Sequence, residues 1–245
     1  MDFLSYLILA IKRWSIGTWT SMSWILPSSA STFAADIDFL YYVILVITGI
    51  AFVVVEVGLV VFAIKYRARP GRKAQYIKGN TKAEIVWTTV PAVTLVIIGL
   101  MSSGAWNHIR GRNSIPPNAI QYEVHAKQFE WNFTNRGPDG QLGTSDDFTL
   151  RNQLHIPVNQ PVELQLIAED VIHSFFVPAF RVKQDAVPGM DIKVWFEATE
   201  VGEYEIACAE LCGLGHYLMR ARVIVHSAED YQQWLSDRTV AVVQE

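Results

Sequence analysis

The chain has 245 residues, of which 51% are hydrophobic and 18% are charged. This composition is too apolar for an ordinary soluble domain and too polar for a chain that lies entirely within a membrane. Residues 1–114 carry 11 basic and 5 acidic residues, whereas residues 115–245 carry 9 basic and 19 acidic residues. The acidic second half argues against nucleic acid as a partner and favours a basic protein.

The first segment, residues 1–34, contains a short apolar run that ends at Ile11 and is followed by Lys12 and Arg13. The run is too short to cross a bilayer, and a cleaved signal peptide would carry its basic residues before the apolar run. Three tryptophans follow, and tryptophan is enriched at membrane interfaces. We expect residues 1–34 to form an interfacial segment, with a cleaved signal peptide as the open alternative.

Two long apolar stretches predict two transmembrane helices within residues 35–109, at about 39–64 and 85–106. Each stretch is long enough to cross roughly 30 Å of hydrocarbon. Seven basic residues and no acid lie between Ile64 and Glu84, which places the connecting loop in the cytoplasm. Everything from about His108 onward is then extracytoplasmic. A buried helical hairpin of a large soluble protein is the alternative that the lengths and the charge bias disfavour.

Residues 110–245 have the pattern of an all-β extracytoplasmic domain. An alternating, aromatic-rich run covers Gln121–Thr134, and four further short runs follow between prolines and glycines at 148–154, 162–167, 192–198 and 220–225. Such a series predicts a β-sandwich or barrel. The sequence Ser227-Ala-Glu-Asp230 is similar to a capping box and predicts a closing helix to about Asp237.

One loop concentrates the residues that bind soft metals. Cys208, Cys212, His216 and Met219 include both cysteines of the chain and lie within twelve residues. Thiolate, imidazole and thioether ligands suit copper, or less well zinc, and the glycines beside Cys212 and His216 allow a tight turn. A Cys208–Cys212 disulfide is the alternative, because cysteines outside the cytoplasm usually pair. A disulfide requires neither His216 nor Met219, so the spacing favours a metal.

A further ligand is expected from His173, which lies between apolar residues shortly before Pro178 and would be held in a dry, rigid setting. A packed core histidine is the alternative. One cysteine, two histidines and a methionine would form a mononuclear blue-copper site. The second thiolate also allows two bridged copper ions, each capped by one histidine, with Met219 and the Glu210 carbonyl completing the ligands. Such a closed site suits electron transfer.

The whole pattern resembles subunit II of the haem–copper cytochrome c oxidases. Two spans precede His173 and the series Cys208-x-Glu210-x-Cys212-x3-His216-x2-Met219, and the resemblance covers about residues 35–235. It implies a cupredoxin-like Greek-key β-sandwich or barrel with a binuclear CuA centre of two copper ions. It further implies that electrons pass from cytochrome c to haem in subunit I, for oxygen reduction coupled to proton pumping. The Glu210 side chain would bind magnesium or manganese shared with subunit I.

The resemblance also suggests roles for residues outside the loop. Glu84 matches a family glutamate at the mouth of a proton-uptake path, although an acid is favourable at any helix N-terminus. Phe129 occupies the position of an aromatic residue, usually tryptophan, on the path by which electrons reach the copper, with Trp131 close by. Because phenylalanine lacks the indole N–H, the path or the donor would differ; ordinary strand packing of Phe129 and Trp131 is the alternative. Glu56 lies deep in a span and is expected to face subunit I, because an unpaired acid there is costly.

The implied partners are subunit I, other oxidase subunits, membrane lipid and an electron donor. The donor is expected to be a separate cytochrome c or similar protein, because no Cys-x-x-Cys-His motif occurs in the chain. Glu169, Asp170 and Glu205 are candidate docking acids for that donor. The expected location is a bacterial-type inner (plasma) membrane or the mitochondrial inner membrane, with the copper domain on the outer face. The alternatives are the copper subunit of a nitric oxide reductase and a membrane-anchored mononuclear cupredoxin.

Overall fold

The computed structural model of the chain describes residues 25–137 and 139–243. Its contacts define two units: a helical unit, Asp36–His108, and a β-rich unit that contains the other described residues.

Two long helices form the helical unit: α1, Ala34–Lys65, and α2, Thr81–Arg110. Their 32 and 30 residues correspond to roughly 45–48 Å, more than the hydrocarbon thickness of a bilayer. Both extend beyond the predicted apolar spans because polar residues continue the helices at their ends. The Asn80 side chain caps the start of α2 by accepting hydrogen bonds from the main-chain N–H groups of Lys82 and Ala83.

Ten strands form two five-stranded sheets in the β-rich unit. The strands are β1 Ile120–Lys127, β2 Glu130–Asn135, β3 Phe148–Arg151, β4 Gln153–Pro157, β5 Pro161–Ala168, β6 His173–Val177, β7 Val182–Ala186, β8 Ile192–Glu197, β9 Gly202–Cys208 and β10 Arg220–His226. One sheet has the order β3-β2-β1-β5-β8 and the other β4-β10-β9-β6-β7. The run Gln121–Thr134 is therefore two antiparallel strands, because the chain reverses at Gln128 and Phe129.

The two sheets pack face to face through large apolar side chains. Trp131 of β2 contacts Phe175 of β6 edge-on at 5.8 Å between ring centroids, and Phe175 stacks at 6.5 Å with Phe196 of β8. All three side chains are fully buried. Pairs β1/β5 and β4/β10 are parallel and the other pairs are antiparallel. The result is the cupredoxin-like sandwich that the sequence predicts.

The segment before α1 departs from its prediction. Ala30, Ser31 and Phe33 are buried; Ser31 pairs with Ala198, and Phe33 meets the Trp195 ring edge-on at 4.6 Å between centroids. This end of the predicted interfacial segment therefore packs on the sandwich, because the buried Phe33 ring contacts Trp195 there. Residues 1–24 of that segment lie outside the described residues.

A final helix, α3, covers Ala228–Val243 and closes one end of the sandwich. The hydroxyl of Ser227 accepts a hydrogen bond from the Asp230 main-chain N–H at 3.1 Å and donates one to the Asp230 carboxylate at 2.7 Å. This is the N-terminal cap expected from the sequence. The helix runs past the predicted end near Asp237.

Candidate metal centre

The register of β6 and β9 brings together residues that are far apart in sequence. Phe175 pairs with Cys208 in the antiparallel β6/β9 ladder, so His173 at the start of β6 lies beside the end of β9. The metal loop, Cys208–Met219, then returns to β10. Its two ends are joined by a hydrogen bond from the Cys208 main-chain N–H to the Met219 carbonyl at 3.1 Å. The sheet thus fixes both ends of the loop.

The potential donor atoms converge around the two sulfurs. The Cys208 and Cys212 sulfurs lie 3.8 Å apart, and His173 Nδ1 lies 3.9 Å from Cys208 Sγ. On the Cys212 side, His216 Nδ1 lies at 3.5 Å and Met219 Sδ at 3.8 Å from Sγ. The main-chain oxygen of Glu210 lies 3.3 Å from Cys208 Sγ. Every residue of the predicted ligand set therefore brings a donor atom to this cluster.

The sulfur separation distinguishes a metal site from a disulfide. Bonded sulfurs lie at about 2.05 Å, and Cys208 and Cys212 are free thiols 3.8 Å apart. An ion at an ordinary metal–thiolate length of about 2.3 Å can touch both sulfurs across such a gap. His173, Cys208 and Cys212 form a compact trio whose ligand atoms lie within 4.8 Å of one another, and all three residues are buried. The histidine, cysteine and methionine donors suit copper.

The surroundings of the two cysteines shift their pKa values in opposite directions. Burial disfavours the thiolate of Cys208, but hydrogen bonds with His173 and main-chain groups outweigh it and lower the Cys208 pKa to about 6. Burial, together with the negative charge of Cys208, raises the pKa of Cys212 to about 12. At neutral pH the metal-free loop therefore holds one thiolate and one thiol. Metal binding to both sulfurs would release a proton from Cys212.

Asp170 orients the His173 ring. The Asp170 carboxylate lies 2.8 Å from His173 Nε2 and also accepts hydrogen bonds from the main-chain N–H groups of Gln128 and Val171. Burial opposes the shift, but the bonds with His173 and these amides lower the pKa of Asp170. Bonding at Nε2 leaves Nδ1 facing the sulfurs, the arrangement by which a carboxylate fixes a metal-binding imidazole. Sequence reasoning named Asp170 only as a docking acid; its position three residues before His173 was the available signal.

Phe129 lies directly on the metal loop. A Cβ atom added to Gly215 would lie 2.5 Å from the Phe129 ring, and one added to Gly213 would lie 3.2 Å from it. Gly213 also has φ of +130°, a conformation that side chains disfavour. The Gln128 side chain donates a hydrogen bond to the Cys212 carbonyl. The reversal between β1 and β2 thus covers the loop closely, while the Phe129 side chain remains 37% exposed.

Trp131 lies behind His173 rather than at the surface. It is fully buried, and its ring centroid is 6.1 Å from that of His173 in an edge-on contact. Phe129 and Trp131 therefore contact opposite parts of the cluster, the loop backbone and the His173 ring.

The remaining sequence-predicted residues lie outside the cluster. The Glu210 side chain is exposed although its carbonyl faces Cys208. Glu84 is exposed in the first turn of α2. Glu169 lies 3.0 Å from His125, and Glu205 lies 3.4 Å from Arg220. Glu205 is therefore paired with a cation, and Glu169 lies beside an imidazole.

Comparison with known proteins agrees with this architecture. The family model for cytochrome c oxidase subunit II, periplasmic domain, matches residues 133–227, and the model for the transmembrane domain of the same subunit matches residues 17–103. The chain belongs to the cytochrome c oxidase subunit II family. It is a membrane protein with a transmembrane part and a periplasmic-type domain, and it has the electron-transfer role of subunit II within a haem–copper oxidase complex.

Individual members of the subunit II family show the extent of the likeness. The alternative cytochrome c oxidase subunit 2 of Bradyrhizobium diazoefficiens is 34% identical in an alignment of 217 positions that covers 78% of this chain and 76% of the relative. Cytochrome c oxidase subunit 2 of Thermostichus vulcanus is 33% identical in an alignment of 255 positions, gaps included, that covers 86% of this chain and 77% of the relative. The crystal structure of the periplasmic domain of subunit II from Bradyrhizobium japonicum has 27% identity, covers 52% of this chain and 99% of its own, and has a TM-score of 0.46.

Proposed function

We propose that the metal loop and His173 hold a binuclear copper centre that accepts electrons from cytochrome c on the outer membrane face and supplies them to haem in subunit I. The observation that carries this proposal is the convergence of four further donor atoms on two free sulfurs 3.8 Å apart. A mononuclear site has no need for the second cysteine. When bound, the copper pair supplies a one-electron redox couple whose charge is shared by two ions.

The chain's own residues supply rigidity. Cys208, Cys212, His173 and His216 would hold the two ions, with Met219 and the Glu210 carbonyl as the weaker ligands. His173 is fully buried and held by Asp170, and Met219 is 1% exposed and joined to Cys208 through the main chain. Ligands held in this way move little when the charge of the metal changes, which favours rapid electron transfer.

The surface beside the loop supports docking of a cytochrome. Phe129 is partly exposed and packs on the loop glycines, while Leu211 and Leu214 of the loop are 78% and 98% exposed. Glu169 lies near this surface, because its main-chain N–H donates a hydrogen bond to the Ala126 carbonyl, three residues before Phe129. We propose that electrons arrive at the Phe129 side, where apolar contact and acidic residues together fit a basic protein with an exposed haem edge.

Two further roles follow from the family resemblance. The exposed Glu210 side chain is proposed to bind magnesium or manganese together with subunit I, while its own carbonyl faces Cys208. Glu84, in the first turn of α2, is proposed to mark the mouth of a proton-uptake path on the cytoplasmic side. The acceptor that we propose for the complex is oxygen, with proton pumping, in a bacterial-type inner or mitochondrial inner membrane.

Rapid mixing of the assembled oxidase with reduced cytochrome c tests this function. The wild-type complex should oxidise the cytochrome in a fast first phase whose rate falls steeply as ionic strength rises. His173→Asn should abolish the fast phase, because a ligand is lost. His226→Asn is the matched control, because His226 lies at the end of β10 that is far from the metal loop. This variant should retain the fast phase. A fast phase that survives in His173→Asn would contradict the proposal; a salt-independent rate would contradict acidic docking alone.

A further inference from the structure

A histidine of β1 is held between two carboxylates on the outer face of its sheet. His125 Nε2 lies 2.6 Å from a Glu123 oxygen, and His125 Nδ1 lies 3.0 Å from a Glu169 oxygen. We call these three residues the His125 group. Their side chains are all partly exposed. A neutral imidazole carries a proton on only one ring nitrogen, whereas a protonated ring donates from both. The paired carboxylates therefore suit the protonated ring.

The His125 group lies beside the surface at which electrons are proposed to arrive. The Glu169 main-chain N–H donates to the Ala126 carbonyl at 3.0 Å, and β1 ends two residues before Phe129. Four residues of extended chain cover at most about 13 Å, which limits the distance from His125 to Phe129 along the backbone. The Debye length is about 30 Å at 10 mM and about 8 Å at physiological ionic strength. Charges on the group therefore act at the Phe129 surface when the salt concentration is low.

The charges on the β2 side of His125 do not change near neutral pH. His125 lies opposite Asn132 in the β1/β2 ladder, and the Asn132 amide donates a hydrogen bond to Glu130 at 3.2 Å. Glu130 also pairs with Lys127 at 3.2 Å and with Arg151. The hydrogen bond from Asn132 lowers the pKa of Glu130, with contributions from Lys127 and Arg151. This side therefore keeps one carboxylate and two cations across the neutral range.

On its other side, His125 meets β5 and the segment that follows β5. It lies opposite the uncharged Ile167 in the parallel β1/β5 ladder. Asp170, which follows Glu169 in the chain, turns instead to the metal centre. In the described part of the chain, Glu123 and Glu169 are therefore the carboxylates whose charge a proton on His125 compensates.

We propose that His125 is a positioning residue of the docking surface, and that its protonation weakens the attraction of this surface for a basic electron donor. The inference rests on the function proposed above. With a neutral ring the His125 group carries two negative charges, and with a protonated ring it carries one. Histidine is the side chain whose ordinary titration falls between pH 5 and 8. The partner that responds is a lysine or arginine side chain of the donor beside its exposed haem edge.

Rapid mixing of the assembled oxidase with reduced cytochrome c from pH 8 to pH 6, at about 10 mM ionic strength, tests the proposal. In wild type the second-order rate of the fast phase should fall about threefold over this range, because one of two docking charges is compensated. His125→Gln cannot titrate but still bonds to a carboxylate, so its rate should change by less than about 1.5-fold. His125→Lys carries a permanent charge and should stay near the low wild-type rate at both pH values.

The controls separate docking from other effects of pH. Titration of the donor contributes equally to every variant, and His226→Asn, at the far end of β10, should show the wild-type fall. Copper absorption should be the same in all four proteins, because none of the changes touches the metal loop. At about 0.5 M salt the difference between wild type and His125→Gln should disappear, because the charges are then screened.

The outcomes that overturn the inference differ from the one that overturns the function. Equal pH dependence in wild type and His125→Gln would remove the role of His125, and so would a His125→Lys rate equal to that of wild type at pH 8. A difference between these proteins that persists at high salt would show that His125 does not act through its charge. Absence of the fast phase in wild type at every pH would instead refute the proposed function.

Discussion

The two ends of β10 each hold a pair of histidines, one buried and one partly exposed, and the two pairs are built in opposite ways. At the start of β10, His173 and His216 direct Nδ1 towards cysteine sulfurs at 3.9 and 3.5 Å. At its far end, His155 Nδ1 and His226 Nε2 lie 2.8 Å apart and bond to each other. The first arrangement places ring nitrogens beside soft sulfur donors, whereas the second pairs ring nitrogens with each other.

The histidine pair at the far end of β10 helps to hold α3 on the sandwich. The His155 ring stacks on Trp234 of α3 at 4.3 Å between centroids and 6° between planes. The Tyr122 hydroxyl lies 2.8 Å from that of Tyr231 of α3 and donates to the His155 carbonyl. The comparison teaches that a histidine is a metal candidate when a ring nitrogen faces other metal-binding side chains. A ring nitrogen that is hydrogen-bonded to a second histidine is a structural contact instead.

Loss of one of the two loop sulfurs should have the largest effect. Cys212→Ser is expected to lower copper affinity at least about a hundredfold and to prevent binding of a second ion, because a hydroxyl is a poor ligand for copper. A titration of the metal-free full chain with copper, read by absorption, measures the change. His226→Asn should leave the titration unchanged. Equal copper binding in the two variants would refute the distinction between the two ends of β10.

Acid should loosen the far end. Burial, with contributions from His226 and Arg238, lowers the pKa of His155 from 6.5 to about 4, and burial also lowers that of His226. The unfolded chain therefore binds protons more tightly at His155 and His226. Their contribution to the free energy of unfolding is complete above pH 6.5 and decreases as the pH falls towards 4. The full loss for His155 is on the order of 3 kcal/mol.

Thermal unfolding of the metal-free chain between pH 7.5 and 4.5 measures this dependence. His155→Phe retains the aromatic stack on Trp234 but cannot titrate, so its unfolding temperature should change less over the same range. Parallel curves for the two proteins would show that His155 does not carry the pH dependence.

Removing the carboxylate behind His173 should have an intermediate effect. Asp170→Asn is expected to lower copper affinity by roughly 10- to 100-fold, because loss of a partner that orients a ligating histidine typically costs that much. Glu169→Gln is the matched control, since Glu169 contacts His125 instead, and its affinity should equal that of wild type. A larger loss of copper affinity in Glu169→Gln than in Asp170→Asn would show that Glu169, and not Asp170, orients His173.

The smallest effect is expected at the weak ligand. Met219→Leu conserves volume in a side chain that is 1% exposed, so stability should fall by less than about 1.5 kcal/mol while the redox potential and the copper spectrum shift. Met190→Leu changes a methionine that is 55% exposed and should alter neither. Identical spectra for Met219→Leu and wild type would remove Met219 from the ligand set.

The sequence predicted the architecture because its strongest signals are local. Two apolar stretches, the basic loop between them and the spacing of Cys208, Cys212, His216 and Met219 all depend on neighbouring residues. The orienting contact of Asp170, the position of Phe129 on the loop glycines and the His155–His226 bond depend on strand register, which composition does not contain. The burial of Ala30, Ser31 and Phe33 on the sandwich likewise depends on tertiary contacts.

Electron paramagnetic resonance of the oxidised full chain, loaded with copper in detergent without the haem subunits, tests the central claim most directly. Two coppers per chain that share one unpaired electron should give a hyperfine pattern from two equivalent nuclei, and Cys212→Ser should lose it. A pattern from one copper nucleus, with one copper per chain, would contradict the binuclear centre.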